Sequence, residues 1–139
     1  MKFLLDANSI ILLTRAGRVP LDDEETSVST TAIAAYELGN AVWKDLHLFK
    51  KLTGEEARFL LTAYHETLLR LRVEPQTELA ECLNILENAD QYNLSYYDSS
   101  YLTAAIRLEA TLVTEDKSLK RASKECGILC SSARELLSA

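Results

Sequence analysis

The chain has 139 residues, 47% of them hydrophobic, which suits one domain, 1–139, with a sizeable core and leaves no room for a second. No apolar run approaches the roughly 20 residues needed to cross a bilayer, and the start lacks a secretory signal, so an intracellular soluble protein with no membrane partner is expected. The net charge of −6 argues against broad, charge-driven nucleic-acid binding, and three cysteines, with Cys126 and Cys130 one residue too far apart for a CxxC pair, argue against a disulfide framework, a zinc site or a redox motif.

Residues 2–5, KFLL, predict a short buried strand that stops at the carboxylate of Asp6, and Ser9 to Arg15 predict a small helix ending near Gly17. DDEE at 22–25 marks an acidic loop, and the β-branched TSVST at 26–30 predicts a second strand. A long helix follows, with Ile33, Glu37, Asn40 and Ala41 at helical spacing and Thr30 or Thr31 available as its cap. Thr53, three before Glu56, is a capping box, and it opens a helix with Phe59, Leu60, Ala63, Tyr64 and Leu68 along one broad face. LRVEP at 71–75 reads as a strand closed by proline. TELAECLNILENADQY gives another helix with Leu79, Cys82, Leu83, Leu86 and Ala89 inward. A helix capped by Ser95 leads to the strand TLVT at 111–114. A short basic helix at 117–125, a small strand GILC at 127–130 and a last helix capped by Ser132 with Glu135 complete the chain.

Strands alternating with helices imply a mainly parallel sheet covered on both faces, and such sheets bind ligands beyond the carboxyl ends of their strands. Asp6 follows the first strand and Asp116 follows TLVT by two residues, so both belong at that edge, and Glu37 and Asp98 can project toward it. Each has an ordinary structural reading. Asp6 and Asp116 can be helix caps, Asp98 the acidic partner of Ser95, and Glu37 a solvated helix residue. Glu37 is the hardest to dismiss, because TTAIAAYELGNAVW is otherwise nearly uncharged and a carboxylate in a mostly buried helix is costly without a partner. Four convergent carboxylates repel one another unless a divalent ion lies among them, and Mg²⁺, hard and oxygen-seeking, is the natural choice.

With these residues in view, the sequence resembles the PIN-domain nucleases, and more narrowly the VapC toxins of VapBC toxin–antitoxin pairs, over nearly its whole length. LLDANSII is similar to the family's opening strand with its first acid, Asp6, and a small polar position filled by Ser9. AAYELGNAV resembles the segment of the second acid, Glu37, LSYYDSSYLTAA that of the third, Asp98, and TLVTEDKSL that of the fourth, Asp116, with Thr114 as its polar neighbour. Glu115 adds a carboxylate beside Asp116 that the pattern leaves open. The resemblance implies a three-layer α/β/α fold with a five-stranded sheet of order 3-2-1-4-5. It also implies a Mg²⁺- or Mn²⁺-dependent endoribonuclease that works in the cytoplasm as a homodimer, with an antitoxin covering its active-site groove.

On this reading Asp6 and Asp98 ligate the metal, Glu37 and Asp116 complete the shell, and Asn8, Ser9 and Thr114 orient waters or donate to ligand oxygens. Removing the four site carboxylates from the charge count takes −6 to −2, so the remaining surface is not strongly acidic. Lys117, Lys120, Arg121 and Lys124 share one helical face directly after Asp116 and are candidate contacts to an RNA backbone, with Arg15 and Arg18 as others; a solvated charged face is the plainer reading. His47 and His65 lack ligand spacing. Trp43 and the tyrosines at 92, 96, 97 and 101 read as core or dimer surface before base-stacking platforms. Two further readings stay open: a non-catalytic interaction module of the same fold, or a solitary nuclease without an antitoxin. A phosphotransfer domain fits less well, because DANS lacks the second aspartate of a DxD motif.

Overall fold

Lys2–Leu5 form strand β1, and Leu4 and Leu5 are wholly buried because the strand lies mid-sheet, with neighbours on both edges and helices on both faces. The computed structural model describes residues 1–138. After β1 come α1 (Ala7–Arg15), β2 (Ser27–Thr31), α2 (Ile33–Trp43), α3 (Gly54–Leu69), β3 (Arg72–Glu74) and α4 (Leu79–Tyr92). The chain continues through α5 (Tyr96–Leu108), β4 (Thr111–Val113), α6 (Lys117–Cys126), β5 (Cys130–Ser131) and α7 (Ala133–Ser138). The sheet order is β3-β2-β1-β4-β5, and every neighbouring pair is parallel. Leu4 is the register pivot, opposite Ser29 on one side and Leu112 on the other. Helices α1, α2, α3 and α7 form one packed group, while α5 lies across β1, β2 and β4 with α4 and α6 beside it. The core therefore sits on both faces of the central strands, and all carboxyl ends share one edge. Among the described residues, no helix is long and apolar enough to cross a membrane.

Several local expectations are corrected. Helix α1 begins at Ala7, two residues before Ser9, because Asp6 caps it by accepting the Ser9 N–H at 2.9 Å. Neither Thr30 nor Thr31 caps α2: both are in β2, where β-branched residues fit, and α2 starts after Ala32 without a side-chain cap. The Thr30 hydroxyl donates to the Leu5 carbonyl at 2.8 Å, whereas that of Thr31 is buried with no partner. Beyond α2 the chain continues in a π turn, Lys44–Leu48, where Trp43 stacks on His47 with centroids 5.4 Å apart. The Thr53–Glu56 capping box of α3 is present in both directions.

On α3 the inner residues are Ala57, Tyr64 and Thr67, and Phe59 faces solvent. On α4 the inner face carries Cys82, Ile85 and Ala89, so Leu79, Leu83 and Leu86 lie outside. The partner decides this rotation. Helix α5 offers polar groups to α4, with Asn88 Nδ2 donating to Thr103 Oγ1 at 2.9 Å and Ser99 Oγ donating to the Ile85 carbonyl at 2.7 Å.

Candidate active site

β1 ends at Leu5, and the next residue both continues the ladder and leaves it: the Asp6 N–H donates to the Val113 carbonyl at 3.2 Å while its side chain turns to cap α1. The Asp6 carboxylate is 6% exposed. Its Oδ1 accepts the Ser9 N–H and its Oδ2 accepts the Thr114 hydroxyl at 2.5 Å. Thr114 also accepts the Asp116 N–H at 3.0 Å, so one hydroxyl ties the ends of β1 and β4 together. The Ser9 hydroxyl donates to the Val113 carbonyl at 2.9 Å, fastening α1 to β4.

Glu37 is in the second turn of α2, Asp98 in the first turn of α5, and Asp116 is the cap of α6, accepting the Leu119 N–H at 2.9 Å. Together with Asp6 they line one cleft of about 560 Å³, shared with Ala7, Asn8, Tyr101, Glu115, Lys117 and Ser118. Four acids from four separate elements thus face one space. Tyr101, three residues after Asp98 on α5, donates its hydroxyl to Glu37 Oε1 at 2.6 Å and is itself buried. Tyr101 is in the core, one of the two expected places, and it also reaches the site; the i, i+3 spacing from Asp98 is the signal that joins it to the site.

The electrostatics follow from this crowding. Burial pushes the Asp6 carboxyl above its ordinary range, against hydrogen bonds from Thr114 and Ser9, and the charge of Asp116 pushes it further. Burial likewise raises Glu37; the Tyr101 hydroxyl pulls the other way, and Asp98 and Asp6 add to the rise. Asp98 is raised by burial, then by Asp116, with Ser95 opposing and Asp6 reinforcing. Among the described residues, no Lys or Arg forms an ion pair with any of the four. Nor is any group of three or more His, Cys, Asp or Glu side chains, among those residues, arranged as a metal-holding cluster.

The donor set suits a hard cation: it is carboxylate oxygen, it carries mutual repulsion that positive charge would relieve, and its side chains are anchored by Ser9, Thr114 and Tyr101. Asp6, Glu37, Asp98 and Asp116 line the cleft but are not drawn into a cluster, so an ion would have to bring their oxygens closer together to be held by them.

The other candidates are placed less uniformly. Glu115 lines the cleft, but its carboxylate accepts the Arg134 N–H at 3.3 Å and lies 3.7 Å from that guanidinium, which ties it to α7. Of the basic stripe, Lys117 lines the cleft while Lys120, Arg121 and Lys124 are not part of its wall. The reason is geometric: Asp116 points only the first turn of α6 at the cleft, and each later residue is about 1.5 Å further along the axis. Arg121 donates to the Tyr92 carbonyl at 3.0 Å. Arg15 is turned away from the acids, its Nε donating to the Tyr64 hydroxyl at 3.0 Å, and Arg18 donates to the Leu137 carbonyl at 2.9 Å.

The PIN domain family model matches residues 3–125. Among solved structures, PAE2754 from Pyrobaculum aerophilum superposes with a TM-score of 0.75 at 22% identity, covering 99% of this chain and 88% of that one. VapBC-1 from nontypeable Haemophilus influenzae gives a TM-score of 0.66 at 19% identity, over 96% and 99% of the two chains. DNA-bound VapBC from Salmonella typhimurium gives 0.67 at 17%, over 96% and 98%. At these identities the likeness is one of fold. No curated protein matches the sequence.

Proposed function

The chain belongs to the PIN domain family of nucleases, and from that premise we propose that it is a Mg²⁺- or Mn²⁺-dependent endoribonuclease, the toxin half of a toxin–antitoxin pair. The observation that carries this reading is the cleft itself: four carboxylates from separate parts of the chain line it, with no ion pair to Lys or Arg among the described residues. Asp6 and Asp98 would hold the ion, with Glu37 and Asp116 completing the set. When bound, such an ion neutralises charge on the phosphodiester and makes water a stronger nucleophile.

The chain's own residues do the rest. Thr114 and Ser9 fix the orientation of Asp6, and Tyr101 fixes that of Glu37. Lys117 places one positive charge at the cleft wall for a phosphate oxygen, and exposed Asn8 can donate to another. Water adds its oxygen to phosphorus and gives up a proton, the P–O3′ bond breaks, and the departing oxygen takes up a proton in exchange, leaving a 5′-phosphate and a 3′-hydroxyl. An apolar groove of about 510 Å³ between α2 and α3, lined by Leu38, Leu61, Tyr64 and Leu68, supports the antitoxin reading by offering an apolar segment a seat. The active form in this reading is a cytoplasmic homodimer.

The test is cleavage of RNA by the purified chain with Mg²⁺ or Mn²⁺ against a chelator control, with end-group analysis. Cleavage is expected only with metal, giving 5′-phosphate ends, and Asp98→Asn should slow it by about 100-fold or more. RNA left intact by the native chain with either ion, or cleaved equally by the variant, overturns the reading.

A further inference from the structure

Two tyrosine rings stand in solvent beside the carboxylate cleft. Tyr36 on α2 is 79% exposed and Tyr97 on α5 is 60% exposed, so both rings are free to meet a ligand. Both line a cavity of about 700 Å³, whose wall also carries Ile33, Glu37 and Asn40 of α2 and Lys44 at the start of the π turn. These α2 positions repeat at helical spacing, so they form one continuous face. Glu37 also lines the carboxylate cleft, and Tyr97 directly precedes Asp98, so cavity and cleft are two ends of one groove. Beyond the tyrosines the groove continues into a smaller hollow of about 240 Å³ containing Gln76, Thr77 and Tyr96. Gln76 is oriented there by its amide nitrogen, which donates to the Ser100 carbonyl at 3.3 Å.

We propose that Tyr36 and Tyr97 form a nucleobase-binding subsite, which stacks an unpaired base of single-stranded RNA beside the phosphate held in the carboxylate cleft. The inference rests on the ribonuclease reading. Its size is right: a cavity of several hundred Å³ has room for one nucleotide. Its chemistry is also right. Aromatic faces bind any base through its π-face, one cation at Lys44 serves one backbone phosphate, and amide and hydroxyl groups in the hollow can meet a base edge. A duplex buries its bases in the stack, so only an unpaired strand offers such a ring. This answers how a chain of net charge −6 holds RNA: affinity comes from stacking at one place, not from a basic surface.

The test uses the full chain carrying Asp98→Asn to stop cleavage, and a short single-stranded oligoribonucleotide containing one 2-aminopurine, whose fluorescence falls when its ring stacks. Tyr36→Leu and Tyr97→Leu should each weaken binding about 5-fold or more and reduce the quenching, the lower end of what one base–aromatic stack contributes. Tyr36→Phe should bind like its parent, since the ring face and not the hydroxyl does the work. An abasic nucleotide in place of 2-aminopurine should bind weakly and equally to all variants. Leucine variants that bind as tightly as their parent overturn the subsite. So does a change in self-association, read by sedimentation, with affinity per protomer unchanged, since that outcome assigns the rings to a contact between copies. The two readings fail separately. RNA cleavage by the native chain that is indifferent to both tyrosines removes the subsite and leaves the nuclease. Tyrosine-dependent binding without cleavage by the native chain in Mg²⁺ or Mn²⁺ does the reverse.

Discussion

Asp6 loses nearly all contact with water yet accepts two hydrogen bonds, one that starts α1 and one from Thr114 that reaches across to β4. A helix cap and a ligand are therefore compatible roles, because each carboxylate oxygen keeps a free lone pair after one bond. Tyr101 gives Glu37 the same kind of support. Tyr101→Phe removes that donor, so the Glu37 carboxyl should rise further above its ordinary range. The substitution should cost about 1 kcal/mol at neutral pH, and less as the pH falls and Glu37 protonates, because a hydrogen bond to a charged acceptor is the stronger one. Urea unfolding at two pH values measures both. A cost that does not depend on pH would show that the hydroxyl acts through packing alone. Thr31 is the opposite case, a buried hydroxyl without a partner. Thr31→Val keeps the branched shape that β2 accepts and removes the orphaned group. It should raise stability by about 1 kcal/mol, with an unchanged denaturant slope.

At the scale of elements, the placement of Asp6 and Asp116 at the carboxyl edge was legible because each follows an apolar strand segment, whereas the strand order came only from the family resemblance. An apolar KFLL halted by Asp6, and TLVT followed by Asp116, put both carboxylates at the same edge once the sheet is parallel. The capping box of α3 was legible for a similar reason, being a contact made within three residues. What periodicity could not supply was which of two apolar faces a helix buries. On α4, leucines at 79, 83 and 86 outweigh Ile85 in any sequence pattern, yet the polar surface of α5 selects the Ile85 side. The exposure of Tyr97, read as core or dimer surface, was hidden in the same way, since burial of a tyrosine depends on its neighbours. The assignment on α4 predicts unequal costs. Ile85→Ala should lose about 2–5 kcal/mol, while Leu83→Gln should stay within about 0.5 kcal/mol of the parent in chemical denaturation. A large loss at Leu83 would mean that α4 is rotated from the orientation described.

Across the whole molecule, the site sets stability against function. Asp6, Glu37 and Asp98 all have carboxyls raised above their ordinary range, so the folded metal-free chain binds protons more tightly there than the unfolded chain does. Their contribution is therefore fully present below the ordinary carboxylate range and is lost as the pH rises through the raised values. Asp22 and Glu56 are lowered by backbone hydrogen bonds and run the other way, which is why the site's share must be read as a difference between variants. With metal excluded, Asp98→Asn should melt higher than the native chain above that window and converge with it at acid pH, since the variant removes one charge from a repelling set. A bound divalent ion requires deprotonated carboxylates, so adding Mg²⁺ or Mn²⁺ should reverse the sign for the native chain. Its midpoint should then rise with pH across the same window, by an amount equivalent to about 2.7 kcal/mol once the ion is at about 100 times its Kd. Asp98→Asn should gain much less. Equal metal-induced shifts in both proteins would place the ion away from Asp98. Absence of any shift in the native chain would leave the four carboxylates as a repulsive cluster with no metal to explain them.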